Sequence, residues 1–285
     1  MAHIAVIHHE FDPVATRPYL IGQIADRWRA AGHRVSQLRG MAEFVPADVA
    51  LLHVDLTRVP SAYLAFARRY PRVLNGAAPD IAKRRFSTHL VGIGDRDTGP
   101  VMLKTDRNHA GIPERDVARA RAERHGRWAV QARRLAESAM PWWLAGRLES
   151  NAYPVYRRAG EIPILARLNP RFVVQRFLPE RRGALYVTRR WTFLGRAEFG
   201  CLILARSPDD LGTSIVGRER IAAVPPELRA MRQRLGLDYG KFDYVMLDGA
   251  PVLFDANKTM GGMWQDNVLA PAMIATLAEG IDGLA

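Results

Sequence analysis

The stretch Lys241–Gly262, KFDYVMLDGAPVLFDANKTMGG, constrains the chain more than any other. Two apolar runs flank Asp248-Gly249-Ala250, a turn signal, so the stretch reads as a β-hairpin. Side chains on a strand alternate with period two. Phe242, Tyr244 and Met246 therefore share a face on the first strand, and Val252, Phe254 and Ala256 share one on the second. The opposite faces carry Asp243, Val245 and Leu247, and Leu253, Asp255 and Asn257. Two registers compete. A two-residue Asp248-Gly249 turn is the stronger local signal, and it puts Asp243 and Asp255 on opposite faces. A three-residue loop that pairs Leu247 with Pro251 puts Asp243 directly opposite Asp255, with Asn257 two residues further on. It also keeps acids off the aromatic face. Facing carboxylates destabilise a sheet unless something positive lies between them. Such an oxygen cluster suits a hard divalent cation, here magnesium. An ordinary hairpin with acids on its solvent side is the plainer reading of the same residues.

At 285 residues the chain has room for two or three lobes. Its apolar content of 48% and charged content of 25% are those of a soluble globular protein. No apolar run reaches the length of a membrane span, and the N-terminus does not read as a secretory signal. The lone Cys201, between Phe199 and Leu202, is expected as a buried small hydrophobe in a reducing cytosol. A net charge of +12 suits an acidic partner, whether nucleotide, nucleic acid or protein. The positive charge is spread along the chain and is nearly all arginine. The lysines are Lys83, Lys104, Lys241 and Lys258. Each is a candidate for a role that a guanidinium fills poorly, such as a compact ammonium directed at phosphate.

From the N-terminus, strands are expected at His3–His9, His33–Leu38, Asp48–Val54 and Val73–Asn75. Helices are expected at Pro18–Ala31, at Ser61–Tyr70 with Ser61 as cap, and from a cap at Asp80 to about Leu90. This β-α-β order implies an open, Rossmann-like parallel sheet. No Gly-x-Gly-x-x-Gly follows the first strand, which argues against dinucleotide binding there. His8 and His9, at that strand's end, read as polar strand-end residues.

Pro100–Thr105 is a strand ending in Lys104 and followed by Asp106-Arg-Asn-His-Ala-Gly111; it is not a Walker loop. Glu114–Ser138 reads as one long Arg-rich helix with a solvated face, and Trp142 and Trp143 as core-packing residues. Strands follow at Phe172–Glu180, Gly183–Phe193 and Arg196–Arg206. A helix at Pro226–Leu235, the hairpin, and a helix at Gln265–Ile281 complete the chain.

Together these stretches resemble the ATP-grasp superfamily of carboxylate–amine ligases, to which D-alanine–D-alanine ligases and glutathione synthetases belong. The resemblance runs from about Val73 to Gly262. It implies an α/β fold with residues 1–95 as a preceding α/β domain, 96–175 as an N-terminal ATP-grasp lobe and 176–285 as a C-terminal lobe. It assigns Asp243, Asp255 and Asn257 to magnesium, with Asp255 where glutamate is more usual and Met260-Gly261-Gly262 as the small-residue turn. Lys104 corresponds to the phosphate-binding lysine and Lys83 to an earlier lysine that reaches the nucleotide. Gln175, Arg176, Phe177 and Leu178 correspond to the adenine-holding hinge, and Glu180 to a ribose contact. Arg190 would supply charge to phosphate, Lys258 would face phosphate or substrate, and Lys241 has no assigned role. The glycine-rich lid is thin, Asn108-His-Ala-Gly111 standing in for it.

The implied chemistry is ATP-dependent: a carboxylate becomes an acylphosphate, which an amine or another nucleophile then attacks. The cofactors are ATP and Mg2+, and the partners a small-molecule or peptide carboxylate and an amine. A non-catalytic nucleotide-binding protein on the same fold is one rival reading. A basic nucleic-acid-binding protein is the other, though no recognition motif or aromatic-interleaved basic stripe supports it.

Overall fold

The computed structural model describes residues 1–13, 17–95, 98–124, 126–148, 153–208, 214–262 and 267–283. The chain divides into two compact units, one made of Met1–Ile81 with Pro179–Ala285 and the other of Ala82–Leu178.

The first unit opens with a parallel sheet of β1 (His3–His8), β2 (Arg34–Arg39), β3 (Val49–Leu52) and β4 (Val73–Leu74), in the order β2-β1-β3-β4. The central strands β1 and β3 are buried along almost their whole length, as continuous apolar runs in a parallel sheet should be. Helix α1 (Leu20–Ala30) buries Leu20, Ile21, Ile24, Ala25 and Trp28, a stripe of helical period. It ends before Gly32, whose φ of 88° suits a residue without a Cβ. Ser61 does not cap α2 (Ser61–Ala67) as expected: Pro60, with φ near −59°, takes the cap position and no side-chain bond forms. The helix expected from Asp80 to Leu90 shrinks to one turn, α3 (Lys83–Phe86). Asp80 accepts from Arg58 Nε at 3.2 Å instead, and the chain runs extended from Ser87.

The second unit is a three-stranded antiparallel sheet with helices. Strand β5 (Val101–Thr105) lies between β6 (Val155–Tyr156) and β7 (Phe172–Arg176). Its core joins Val101, Leu103, Ile162, Ala166, Phe172 and Val174, with Trp142 and Trp143 half-buried against it. The expected single helix at Glu114–Ser138 is two, α4 (Ile112–Arg124) and α5 (Arg127–Ala139). Gly126, at φ 97°, takes a backbone conformation that no helix continues through. Short helices α6 (Trp142–Ala145) and α7 (Ile164–Leu168) precede β7.

The chain then returns to the first unit in β8 (Glu180–Arg182), β9 (Leu185–Leu194), β10 (Ala197–Ala205), β11 (Ile215–Ile221), α8 (Pro226–Leu235), β12 (Tyr239–Leu247), β13 (Ala250–Asn257) and α9 (Ala270–Ala278). The strands form an antiparallel sheet in the order β11-β10-β9-β12-β13, with β8 paired to β9. One face carries Trp191, Phe193 and Phe242 in mutual contact, with ring centroids 4.7–5.6 Å apart. On the other face Leu194, Phe199, Cys201, Ile203 and Tyr239 join one core with Ile4, Val6, Leu51, α1 and α9. Asn75 ties the two sheets of this unit. Its Oδ1 accepts from the main-chain N–H of Asp238 (2.8 Å) and Tyr239 (2.9 Å), and its Nδ2 donates to Tyr239 O at 2.9 Å. No described helix is long and apolar enough to cross a membrane.

Candidate functional site

The hairpin resolves its two registers in a way that period-two reading does not anticipate. Leu247 pairs with Ala250, so the two-residue Asp248-Gly249 turn forms and the three-residue loop does not. Both turn residues have positive φ, 49° and 82°, as the twist-matched hairpin turn requires. Pairing runs through Tyr244↔Leu253 and then shifts to Asp243↔Asp255. Phe254 is the extra residue of a β-bulge, which reverses the parity of everything after it. Leu253, rather than Val252 or Phe254, therefore joins Ala256 on the aromatic face. Asp255 and Asn257 return to the face of Asp243 and Lys241, their cross-strand partners.

Arg190, opposite Asp243 on β9, completes this face. Its Nε donates to Asp243 Oδ1 at 2.6 Å, and Lys241 Nζ donates to Oδ2 at 2.5 Å. Burial by itself would raise the pKa of Asp243, but the two cations hold it well below the usual carboxylate range. Asn257 Nδ2 donates to Asp255 Oδ2 at 2.7 Å. A Cβ on Gly240 would lie 2.3 Å from the carbonyl oxygen of Asn257, so only glycine lets β13 come this close. Two carboxylates and a carboxamide oxygen are an all-oxygen donor set. A carboxylate has about four lone-pair sites, so the two bonds to Asp243 leave room for a cation. The residues fit a hard divalent ion.

The other candidates of the first unit are more engaged than the sequence suggested. Glu180 accepts from Nε and Nη2 of Arg189 (2.6–3.1 Å) and from the N–H of Met246 at 2.7 Å. Lys258 is buried, its Nζ 3.5 Å from Thr57 O. At the ends of β1 and β3, Tyr19 hydroxyl lies 2.8 Å from Asp12 Oδ1 and 3.0 Å from Asp55 Oδ2. His8 Nε2 lies 2.6 Å from Gln37 Oε1. His53 is fully buried, and burial foremost drives its pKa well down, so it is neutral. His9 stacks on Tyr63.

In the second unit Lys83 and Lys104, from α3 and β5, are 1% and 3% exposed. Lys83 Nζ donates to Arg107 O at 3.0 Å and Lys104 Nζ to Gln175 Oε1 at 2.9 Å. Both ammonium groups lie 5.6 Å from the centre of the Tyr153 ring, a cation–π arrangement. Gln175 is fully buried, and its Nε2 donates to Thr88 O. The N–H groups of Arg176 and Phe177 bond His89 O and Pro100 O. The segment Asn108–Gly111 is compact, with His109, Ala110 and Gly111 all left-handed and Ala110 buried.

Sequence reasoning left Lys241 without a role and missed Tyr153 and Thr259. Lys241 shares a face with Asp243 two residues on, which period two alone signals. Tyr153 and Thr259 gave no local signal, since their partners lie far away in sequence.

No family model and no curated protein matches the chain. Among solved structures it is similar to a RimK domain ATP-grasp protein from Sphaerobacter thermophilus. The two are 14% identical over 98% of this chain and 99% of that one, with a TM-score of 0.47. D-alanine–D-alanine ligase from Bacillus anthracis, complexed with ATP, is 13% identical over 98% and 97%, at 0.48. The ATP-grasp ligase PsnB, complexed with minimal precursor, Mg and ADP, is 12% identical over 96% and 97%, at 0.48.

Proposed function

We propose that this protein is an ATP-dependent ligase of the ATP-grasp kind, which activates a carboxylate as an acylphosphate for attack by an amine or another nucleophile. One observation carries the reading: Asp243 faces Asp255 across β12 and β13, with Asn257 on the same side, in the order of the magnesium motif that the sequence resembles. Magnesium bound there would neutralise phosphate charge and orient the γ-phosphate. Asp243, Asp255 and Asn257 would hold it. Lys241 and Arg190 keep Asp243 ionised and bring positive charge to the same face. In the second unit, Lys83 and Lys104 are buried cations that lie over the same Tyr153 ring, and two ammonium groups so placed suit a phosphate. The Gln175 side chain orients Lys104. Phosphoryl transfer of this kind needs positioning and charge neutralisation and no protein nucleophile.

A non-catalytic nucleotide-binding protein is the second reading, favoured by the Asn108–Gly111 segment, with Asn108, Ala110 and Gly111 buried, where a mobile glycine-rich lid would serve turnover. ATP titration by calorimetry with and without Mg2+, followed by phosphate release against a panel of carboxylates and amines, separates the two. Ligase activity gives magnesium-dependent binding and acceptor-dependent phosphate release; binding alone gives the first without the second. Asp255→Ala should weaken magnesium-dependent ATP binding by at least about tenfold, and Lys104→Ala should weaken it similarly. Unchanged binding in both variants removes the site.

A further inference from the structure

The chain leaving β13 is bonded both to the segment that enters α1 and to the segment that follows β3. Leu20 N–H donates to Met260 O at 2.9 Å, Gly262 N–H donates to Pro18 O at 2.5 Å, and Tyr19 bridges Gly261 in antiparallel fashion. Those main-chain links fix the path of the segment. A side-chain hub is added to them. Thr259 hydroxyl, two residues beyond Asn257, donates to Asp55 Oδ1 at 2.6 Å. Asp55 Oδ2 receives Arg17 Nη1 at 3.2 Å and shares the single Tyr19 hydroxyl proton, at 3.0 Å, with Asp12 Oδ1 at 2.8 Å. Asp55 and Thr259 are 8% and 6% exposed. Desolvating a carboxylate is expensive, and its return is a rigid, directional acceptor with each oxygen committed.

Resting on the magnesium reading above, we propose that Thr259, Asp55 and Tyr19 are positioning residues for the cation site. They hold the end of β13 so that Asn257 stays on the face of Asp243 and Asp255. They act through the turn at Lys258, whose own ammonium is tied back to the same loop at Thr57 O. A purely architectural role for these bonds predicts something different: lower stability with unchanged cation affinity.

The test is a Mg2+ titration of the ATP-loaded full chain, read by calorimetry, beside ATP binding in EDTA and thermal unfolding. Thr259→Val keeps the shape and removes the hydroxyl donor, and Thr259→Ser restores it. The expected result for Thr259→Val is Mg2+ affinity about tenfold weaker, as for other outer partners of metal ligands, with ATP binding in EDTA unchanged and Mg2+ affinity restored in Thr259→Ser. Lower thermal stability with wild-type Mg2+ affinity overturns the proposal and leaves the ligase reading intact. Should Thr259→Val not fold, Tyr19→Phe, which keeps the ring packed 4.8 Å from His53, carries the same comparison. A wild-type protein whose ATP binding ignores Mg2+ overturns the magnesium reading itself, and the positioning role with it.

Discussion

At the scale of single residues, Asp12 makes the clearest quantitative statement. Tyr19 has one hydroxyl proton and two carboxylate oxygens within reach, so it cannot donate to Asp12 and Asp55 together. Asp12 Oδ2 is buried without a hydrogen-bond partner. Burial foremost, and the nearby Asp55, push its pKa from 3.8 up to about 6, against the pull of the Tyr19 hydrogen bond. A carboxyl whose folded pKa is raised favours folding in its protonated form. Its contribution is complete below 3.8 and is lost as the pH rises through about 6. That interval corresponds to roughly 3 kcal/mol. In urea unfolding between pH 4 and 7, wild type should therefore lose about that much stability relative to Asp12→Asn, whose carboxamide does not titrate. Parallel pH profiles for the two proteins would place Asp12 in contact with water.

At the scale of elements, the hairpin explains why two sound sequence signals conflicted. The Asp248-Gly249 turn and the facing acids are both real, and only a bulge at Phe254 reconciles them. Removing the extra residue should leave Asp243 opposite Asp255, because β13 would then pair continuously from Leu253 to Asp255. Deleting Phe254 is expected to lower stability by about 1–2 kcal/mol through lost side-chain burial while retaining Mg2+-dependent ATP binding. Loss of that dependence in a folded protein would show that the bulge itself shapes the site. Legibility elsewhere followed the same logic. The helix Pro226–Leu235 was readable to the residue because proline opens it and Gly236, at φ 66°, closes it. Strand β11 was not, since Arg218, Glu219 and Arg220 in its middle hide an edge strand whose partner lies on β10. The break between α4 and α5 turned on one glycine in an otherwise helix-forming run. For the candidate site, residue types were legible and contacts were not. The scarcity of lysine picked out Lys83 and Lys104, but Tyr153 beside both is visible only in three dimensions.

At the scale of the whole molecule, the net charge of +12 is an excess of basic over acidic residues that ion pairing leaves unchanged. Arg17, Arg84, Arg182, Arg189, Arg190 and Arg229 each pair with a carboxylate of their own unit. The units also differ in how the chain builds them. Ala82–Leu178 is one continuous stretch around its own core, whereas the first unit draws on both ends of the sequence. Its parallel sheet cannot complete its core from the first 81 residues. The buried stripe of α1 packs with Met273, Leu277 and Ile281, and Trp28 Nε1 donates to Ala278 O at 2.9 Å. Asn75 finds its acceptor and donors on Asp238 and Tyr239. Expressed alone, residues 1–81 would expose that stripe and leave Asn75 unpartnered, which exceeds what a fragment of this size can absorb. It should be unfolded by circular dichroism and amide exchange. Adding residues 179–285 in trans should restore protected amides on β1 and β3, since they supply α9, β10 and β12. A fragment 1–81 that folds alone would make the shared core an incidental packing and separate the parallel sheet from the hairpin.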